Sequence, residues 1–180
     1  EREYSYSLLE DLGVDYLLEL DFTSVVNMSA EEYLEEFLVK SFAPSSIFTG
    51  LNHTFGANKL GNSSFLADKA TTLGYKYFCV KPVEREHETI SSTLIKSYLK
   101  SGNIEKANLF LGHDFRLKSK VISGRKLGRE IGFPTANLLY PQKIVQIPFG
   151  VYKVKANGMD AILNWGVKPT IDGQTPVLEV

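Results

Sequence analysis

GREIGFPTAN, residues 128–137, decides how the second half of this chain is read. Glycine, proline, threonine and asparagine add little to a hydrophobic core, yet they dominate this stretch. Glycine ahead of a Pro-Thr-Ala-Asn run describes a backbone that turns tightly and then presents two small oxygen-bearing side chains. Extending the window to GRKLGREIGFPTAN brings in Gly124, so that Gly124, Gly128 and Gly132 permit close backbone approach and successive N–H groups can face an anion. Arg125, Lys126 and Arg129 set positive charge beside them, and Pro134 stiffens the turn. Thr135 and Asn137, two apart on an extended segment, point the same way and offer a hydroxyl and an amide oxygen to Mg²⁺. A glycine-rich hairpin loop with a few surface cations carries the same letters, and glycine spacing alone does not separate the two readings.

Around this stretch the composition is that of an ordinary globular chain. Its 180 residues are 43% hydrophobic, 12% aromatic and 23% charged, enough for one large domain or two small ones with a real core. The formal net charge of −1 provides no global attraction for nucleic acid or an anionic membrane, so an anionic ligand must be held by local donors. The basic stretch 116–129 is local, which argues against a nucleic-acid binder. A single cysteine, Cys79, excludes an internal disulfide framework, fits a reducing compartment, and reads as a buried strand residue within YKYFCVK. No apolar run approaches the ~20 residues of a membrane span and no signal-peptide pattern opens the chain, so a cytoplasmic location is expected. His53, His87 and His113 have no metal-ligand spacing. Oligomeric state is not legible.

The first half alternates helical and strand signals. YSLLEDLG reads as a helix ending at Gly13, and VDYLLELDF as a buried strand. SAEEYLEEFLVKSF opens with a capping box, Ser29 and Glu32, before Leu34, Phe37, Leu38 and Phe42 recur at helical spacing. SSIFTG, SSFLADKATTLG and YKYFCVKP then read as strand, helix and strand, a pattern that favours a parallel sheet with crossover connections. ISSTLIKSYLKSG and NIEKANLFLG are two short helices, each closed by glycine. After Gly112 the rhythm changes to short alternating strands, with Asn157-Gly158 as a hairpin signal between YKVKA and MDAIL. Antiparallel β structure, a barrel or a sandwich, is expected there, with the boundary near residues 112–120.

Gly124, Gly128, Arg129, Gly132 and the run Phe133-Pro134-Thr135-Ala136-Asn137 resemble the signature of riboflavin kinases. Gly150-Val151-Tyr152 and Asn164-Trp165-Gly166-Val167-Lys168-Pro169-Thr170 look like that family's next two landmarks in the same order. The family writes the second as Asn-Ile-Gly-x-x-Pro-Thr, so Trp165 departs from it and is expected to alter packing near the flavin. The upstream half resembles the FMN adenylyltransferase module that bacteria fuse to this kinase, the bifunctional riboflavin kinase/FAD synthetase. Two motifs carry the likeness: Gly50-Leu51-Asn52-His53-Thr54-Phe55-Gly56, and Ile90-Ser91-Ser92-Thr93-Leu94-Ile95-Lys96 at a helix start. Physical chemistry supports the second motif by itself, because serine and threonine at a helix N-terminus join free N–H groups and the helix dipole in binding phosphate. Lys96 stands where the family has arginine, keeping charge but losing the planar fork. Without the likeness, Ser91 reads as a plain cap and Asn52 as a turn residue.

The resemblance implies an incomplete Rossmann-like nucleotidyltransferase module over residues 1–112 and an incomplete antiparallel β-barrel kinase module over 113–180. The family's Gly-x-Phe-Asp-Gly-x-His-x-Gly-His opening does not occur here, so the chain is expected to start after that first strand and helix and to adenylylate poorly as it stands. It is likewise expected to stop before the kinase barrel closes. ATP and riboflavin or FMN are the implied substrates and Mg²⁺ the implied metal. Gly124, Gly128, Arg129 and Gly132 would cradle ATP phosphates, and Thr135 and Asn137 would ligate Mg²⁺. Glu179 would take the proton from the ribityl 5′-hydroxyl. Asn164, Pro169, Thr170 and Asn52 would face flavin, and Ser91, Ser92, Thr93 and Lys96 phosphates. Two other readings remain open: a kinase on a degenerate scaffold, and a flavin- or nucleotide-binding module without turnover.

Overall fold

The computed structural model describes residues 2–122, 135–141, 144–170 and 173–180; Gly124, Gly128, Arg129 and Gly132 lie outside the described residues. The chain divides into two units, Glu1–Thr89 and Ile90–Val180.

In the first unit, helix α1 (Arg2–Asp11) stops ahead of Gly13, whose φ of +80° suits a residue without a Cβ. The run VDYLLELDF is not the buried strand its composition suggests. Residues 14–20 pair with no strand, and Tyr16 is 94% exposed. An apolar run becomes a buried parallel strand only when neighbours cover both its faces, and among the described residues the parallel sheet here has two strands, neither of them this one. Helix α2 (Phe22–Val25) follows, with Asp21 accepting from the Thr23 N–H at 3.0 Å. The expected capping box forms: the Ser29 N–H donates to Glu32 at 2.8 Å and the Glu32 N–H donates to Ser29 Oγ at 3.1 Å. The helix that it opens winds wider than expected, as a π-helix over Glu32–Val39, before α3 (Lys40–Phe42). Tyr33 then meets both Phe37 and Phe55, with ring centroids 5.5 and 5.3 Å away.

Strands β1 (Ser46–Gly50) and β2 (Lys76–Val80) pair in parallel, joined by helix α4 (Ser63–Leu73), as the alternation predicts. Asn62 caps α4 and Gly74, at φ +77°, ends it. Ala30, Leu34, Phe55, Leu66 and Tyr75 form the core, and the buried Tyr75 hydroxyl donates to the Leu66 carbonyl at 2.6 Å. Cys79 sits on β2 as read but is exposed, because the strand's burial is one-sided and partial. A short hairpin, β3 (Glu84–Arg85) with β4 (Glu88–Thr89), completes this unit.

The second unit begins with helices α5 (Ser92–Ser101) and α6 (Ile104–Leu111), each closed by a positive-φ glycine, Gly102 and Gly112. Strands β5 (Val121–Ile122), β6 (Asn137–Leu138), β7 (Gly150–Ala156), β8 (Met159–Thr170) and β9 (Gly173–Glu179) form one antiparallel sheet in the order β5-β6-β9-β8-β7. Asn157 and Gly158, at φ of +50° and +85°, make the tight β7–β8 turn that their pairing signals. One core joins the sheet to the helices: Leu163, Trp165 and Leu178 cluster with Leu99, Ala107 and Ile147. Helices α5 and α6 precede residue 112, yet they share this core with the strands. No helix among the described residues is long and apolar enough to cross a membrane.

Candidate active site on the five-stranded sheet

Register puts Asn137, Glu179 and Asn164 in one row across β6, β9 and β8. Directly paired residues of an antiparallel sheet share a face, so an amide, a carboxylate and a second amide stand side by side. Ala136 and Val180 exchange both backbone bonds, N–H to O at 2.6 and 2.9 Å. Asn137 and Glu179 therefore occupy the adjacent non-hydrogen-bonded position, where facing side chains come closest. Thr135, one step further along that face, donates its hydroxyl to Glu179 Oε1 at 2.7 Å. A hydroxyl, two amides and a carboxylate thus converge from segments remote in sequence.

The opposite face is apolar, which explains why the polar row faces outward. Leu138, Leu178 and Trp165 pair across the same three strands and enter the core, Trp165 being 2% exposed. Trp165 therefore packs behind the row, on the core side of the sheet. Its indole N–H donates to the Ile147 carbonyl at 3.0 Å. Tyr140 stacks on it with centroids 4.6 Å apart. Burial raises the Tyr140 phenol above its ordinary value, against the opposing pull of the Ile147 N–H that donates to its oxygen. Burial likewise raises Tyr152, whose hydroxyl donates to the Pro148 carbonyl at 2.6 Å.

Thr135, Asn137 and Glu179 offer hydroxyl, amide and carboxylate oxygens, the hard donors that Mg²⁺ takes. No group of three or more His, Cys, Asp or Glu side chains that could hold a metal occurs among the described residues. A sparse oxygen set suits a cation held mainly by substrate phosphates, which is how Mg²⁺ is usually bound. Pro169 and Thr170 lie on β8, paired in register with Gln174 and Gly173; their side chains are outside the described residues.

At the start of α5, Ser91 is the N-cap and its Oγ accepts from the Leu94 N–H at 3.2 Å. Ser92, Thr93 and Lys96 are exposed in the first turns. Asn52 belongs to the first unit, on the exposed loop after β1. Phe55 anchors that loop by burial, and residues 55 and 61 exchange backbone bonds of 3.0 Å each way. Gly56 approaches so closely that a Cβ there would meet the Ala30 backbone at 2.7 Å. His53 is exposed and stacks on Phe55, with ring centroids 5.8 Å apart. Sequence reasoning gave no role to Tyr140 or Tyr152, whose hydroxyls bond the backbone of Val145, Ile147 and Pro148; Tyr152 lay within the Gly-Val-Tyr landmark, whereas Tyr140 had no signal of its own.

Comparison with known proteins assigns both halves. The family model of FAD synthetase matches residues 1–94, and that of riboflavin kinase residues 111–180. A bifunctional riboflavin kinase/FMN adenylyltransferase of Escherichia coli (strain K12) is 30% identical over 178 residues, covering 96% of this chain and 56% of the relative. Its counterpart in Bacillus subtilis (strain 168) is 32% identical over 175 residues, 93% of this chain and 54% of the relative. The chain thus spans about half the length of these relatives. Among solved structures, one described as a macrolide-efflux protein from Streptococcus pneumoniae superposes with a TM-score of 0.84 at 29% identity, covering 99% of this chain and 59% of that one. With the first match spanning more than half its residues and the second following in order, this chain belongs to the FAD synthetase family and continues into a riboflavin kinase segment.

Proposed function

We propose that the protein phosphorylates riboflavin with ATP to give FMN and ADP, and then adenylylates FMN with a second ATP to give FAD and pyrophosphate. The row Asn137–Glu179–Asn164, with Thr135 bonded to the carboxylate, carries this reading. Glu179 takes the proton as the ribityl 5′-oxygen attacks the γ-phosphorus and ADP leaves. Donating its hydrogen bond to Glu179 leaves the Thr135 oxygen's lone pairs for a cation, which Asn137 helps to hold. Thr135 and Asn137 would hold Mg²⁺, which would supply positive charge to offset that of the transferring phosphate. Asn164 on the far side of Glu179, with Pro169 and Thr170 further along β8, faces the flavin. Gly124, Gly128, Arg129 and Gly132 donate to the ATP phosphates.

In the adenylyl step Asn52 contacts the flavin nucleotide, while Ser92, Thr93 and Lys96 meet phosphates beside the Ser91 cap. The proposed modules run over 1–112, a Rossmann-like adenylyltransferase, and 113–180, a β-barrel kinase; the order of the two family matches supports them. A cytoplasmic site of action completes the reading, and the single cysteine fits it. The full-length protein, incubated with riboflavin and Mg-ATP and analysed by chromatography, is expected to yield FMN and FAD. FMN alone leaves a kinase on an inactive scaffold, and neither product leaves a binding module.

A further inference from the structure

The loop before β7 is gripped from several sides. The Tyr140 hydroxyl donates to the Val145 carbonyl at 2.7 Å and accepts from the Ile147 N–H at 3.3 Å. Tyr152 holds the Pro148 carbonyl, and Trp165 holds the Ile147 carbonyl and meets the Phe149 ring at 5.0 Å. Each gripping residue is tied to the polar row: Trp165 adjoins Asn164, Tyr152 adjoins the Val151 that pairs with Asn164, and Tyr140 follows β6 closely after Asn137.

We propose that Trp165 is a positioning residue: its indole, fastened to the Ile147 carbonyl and enclosed by Tyr140 and Phe149, sets the register and rigidity of β8 against β9, and so the placement of Asn164 beside Glu179. An indole N–H is a donor only, and a buried one must keep its acceptor. Ile147 is that acceptor, so β8 cannot slide past the segment before β7 without losing the bond, and the Tyr140 stack ties the same indole to the end of β6, which pairs with β9. Register matters because a slip of one residue would turn Asn164 into the core and Trp165 outward. The partners of Trp165 across the sheet allow this lock: Leu178 pairs with it on β9, and Gly150 on β7 has no side chain to compete for the space. Nothing in this role requires Trp165 to touch a substrate; it acts through the strand.

The inference rests on the kinase reading for its consequence in turnover, so two readouts are taken on the full-length protein. Trp165→Phe keeps the ring and loses the N–H; Trp165→Leu removes the stack as well. Amide exchange in peptides covering Asn164 and Glu179 is expected to accelerate about tenfold in Trp165→Phe, with far-ultraviolet circular dichroism unchanged. Riboflavin phosphorylation is expected to lose about 3- to 10-fold in kcat, while KM for riboflavin stays within about twofold. Trp165→Leu shifts both further in the same direction, and if it fails to fold, Trp165→Phe decides. Unchanged exchange in Trp165→Phe, or a loss confined to KM, overturns the positioning role. Absence of FMN formation by the unsubstituted protein overturns the kinase reading instead, and the exchange result still decides whether Trp165 locks the strand.

Discussion

The Thr135 hydroxyl and the Glu179 carboxylate, 44 residues apart in sequence, are joined by a 2.7 Å hydrogen bond. β6 and β9 are paired neighbours, so the bond comes directly from strand order, and it brings a proposed metal-binding oxygen to the proposed base. Replacing either partner tests a different half of the chemistry.

Glu179→Gln keeps the shape of the side chain and removes the base. FMN formation is expected to fall about 10²- to 10⁴-fold, with riboflavin affinity little changed. Steady-state kinetics with a parallel titration of riboflavin fluorescence checks this; a near-normal rate would remove Glu179 from the mechanism.

Thr135→Ser retains a hydroxyl, whereas Thr135→Val has none to offer either to Glu179 or to a cation. The valine variant is expected to lose about 10- to 100-fold in kcat/KM for Mg-ATP, the scale of a hydrogen bond to a charged group, and the serine variant far less. Initial rates across a Mg²⁺ series separate the two. A larger loss in the serine variant than in the valine variant would mean that the methyl group, not the hydroxyl, is what the site needs.

Ser91 already caps α5, so Ser91→Ala is expected to cost about 1 kcal/mol in stability. Lys96 is exposed and lies beyond the cap, so Lys96→Ala is expected to leave stability within about 0.5 kcal/mol. If these residues meet phosphate, Lys96→Ala also weakens ATP use in FAD formation while FMN formation holds. Denaturant melts and product ratios measure both, and parallel loss of the two activities would count against a phosphate role.

Gly56 and Gly74 both have positive φ, of +71° and +77°, but only Gly56 is pressed against another backbone. Gly74→Ala is expected to cost about 1–2 kcal/mol from strain alone. Gly56→Ala adds a collision with Ala30 and is expected to cost about 2–5 kcal/mol. Chemical denaturation followed by circular dichroism ranks the pair, and the reverse order would contradict the close approach.

Burial raises the phenols of Tyr140 and Tyr152 above the unfolded value near ~10. Folded phenols then hold their protons longer than unfolded ones, so their contribution is complete below about pH 10 and is lost as pH rises through the folded values. Unfolding free energy is expected to decline above that point, and Tyr140→Phe with Tyr152→Phe to flatten the decline. A decline equally steep in the double variant would place its origin elsewhere.

By itself the sequence determined the local elements and the family. Helix ends at Gly13, Gly74, Gly102 and Gly112, the Ser29–Glu32 box and the Asn157-Gly158 turn were legible because each depends on residues a few positions apart. Motif order identified Thr135, Asn137, Asn164 and Glu179 as candidates. Only the tertiary structure decided that Glu179 stands between Asn137 and Asn164, that Trp165 faces the core, and that residues 14–20 form no strand. Strand order, register and burial depend on what the rest of the chain places on either side, and no window of neighbouring residues contains that information.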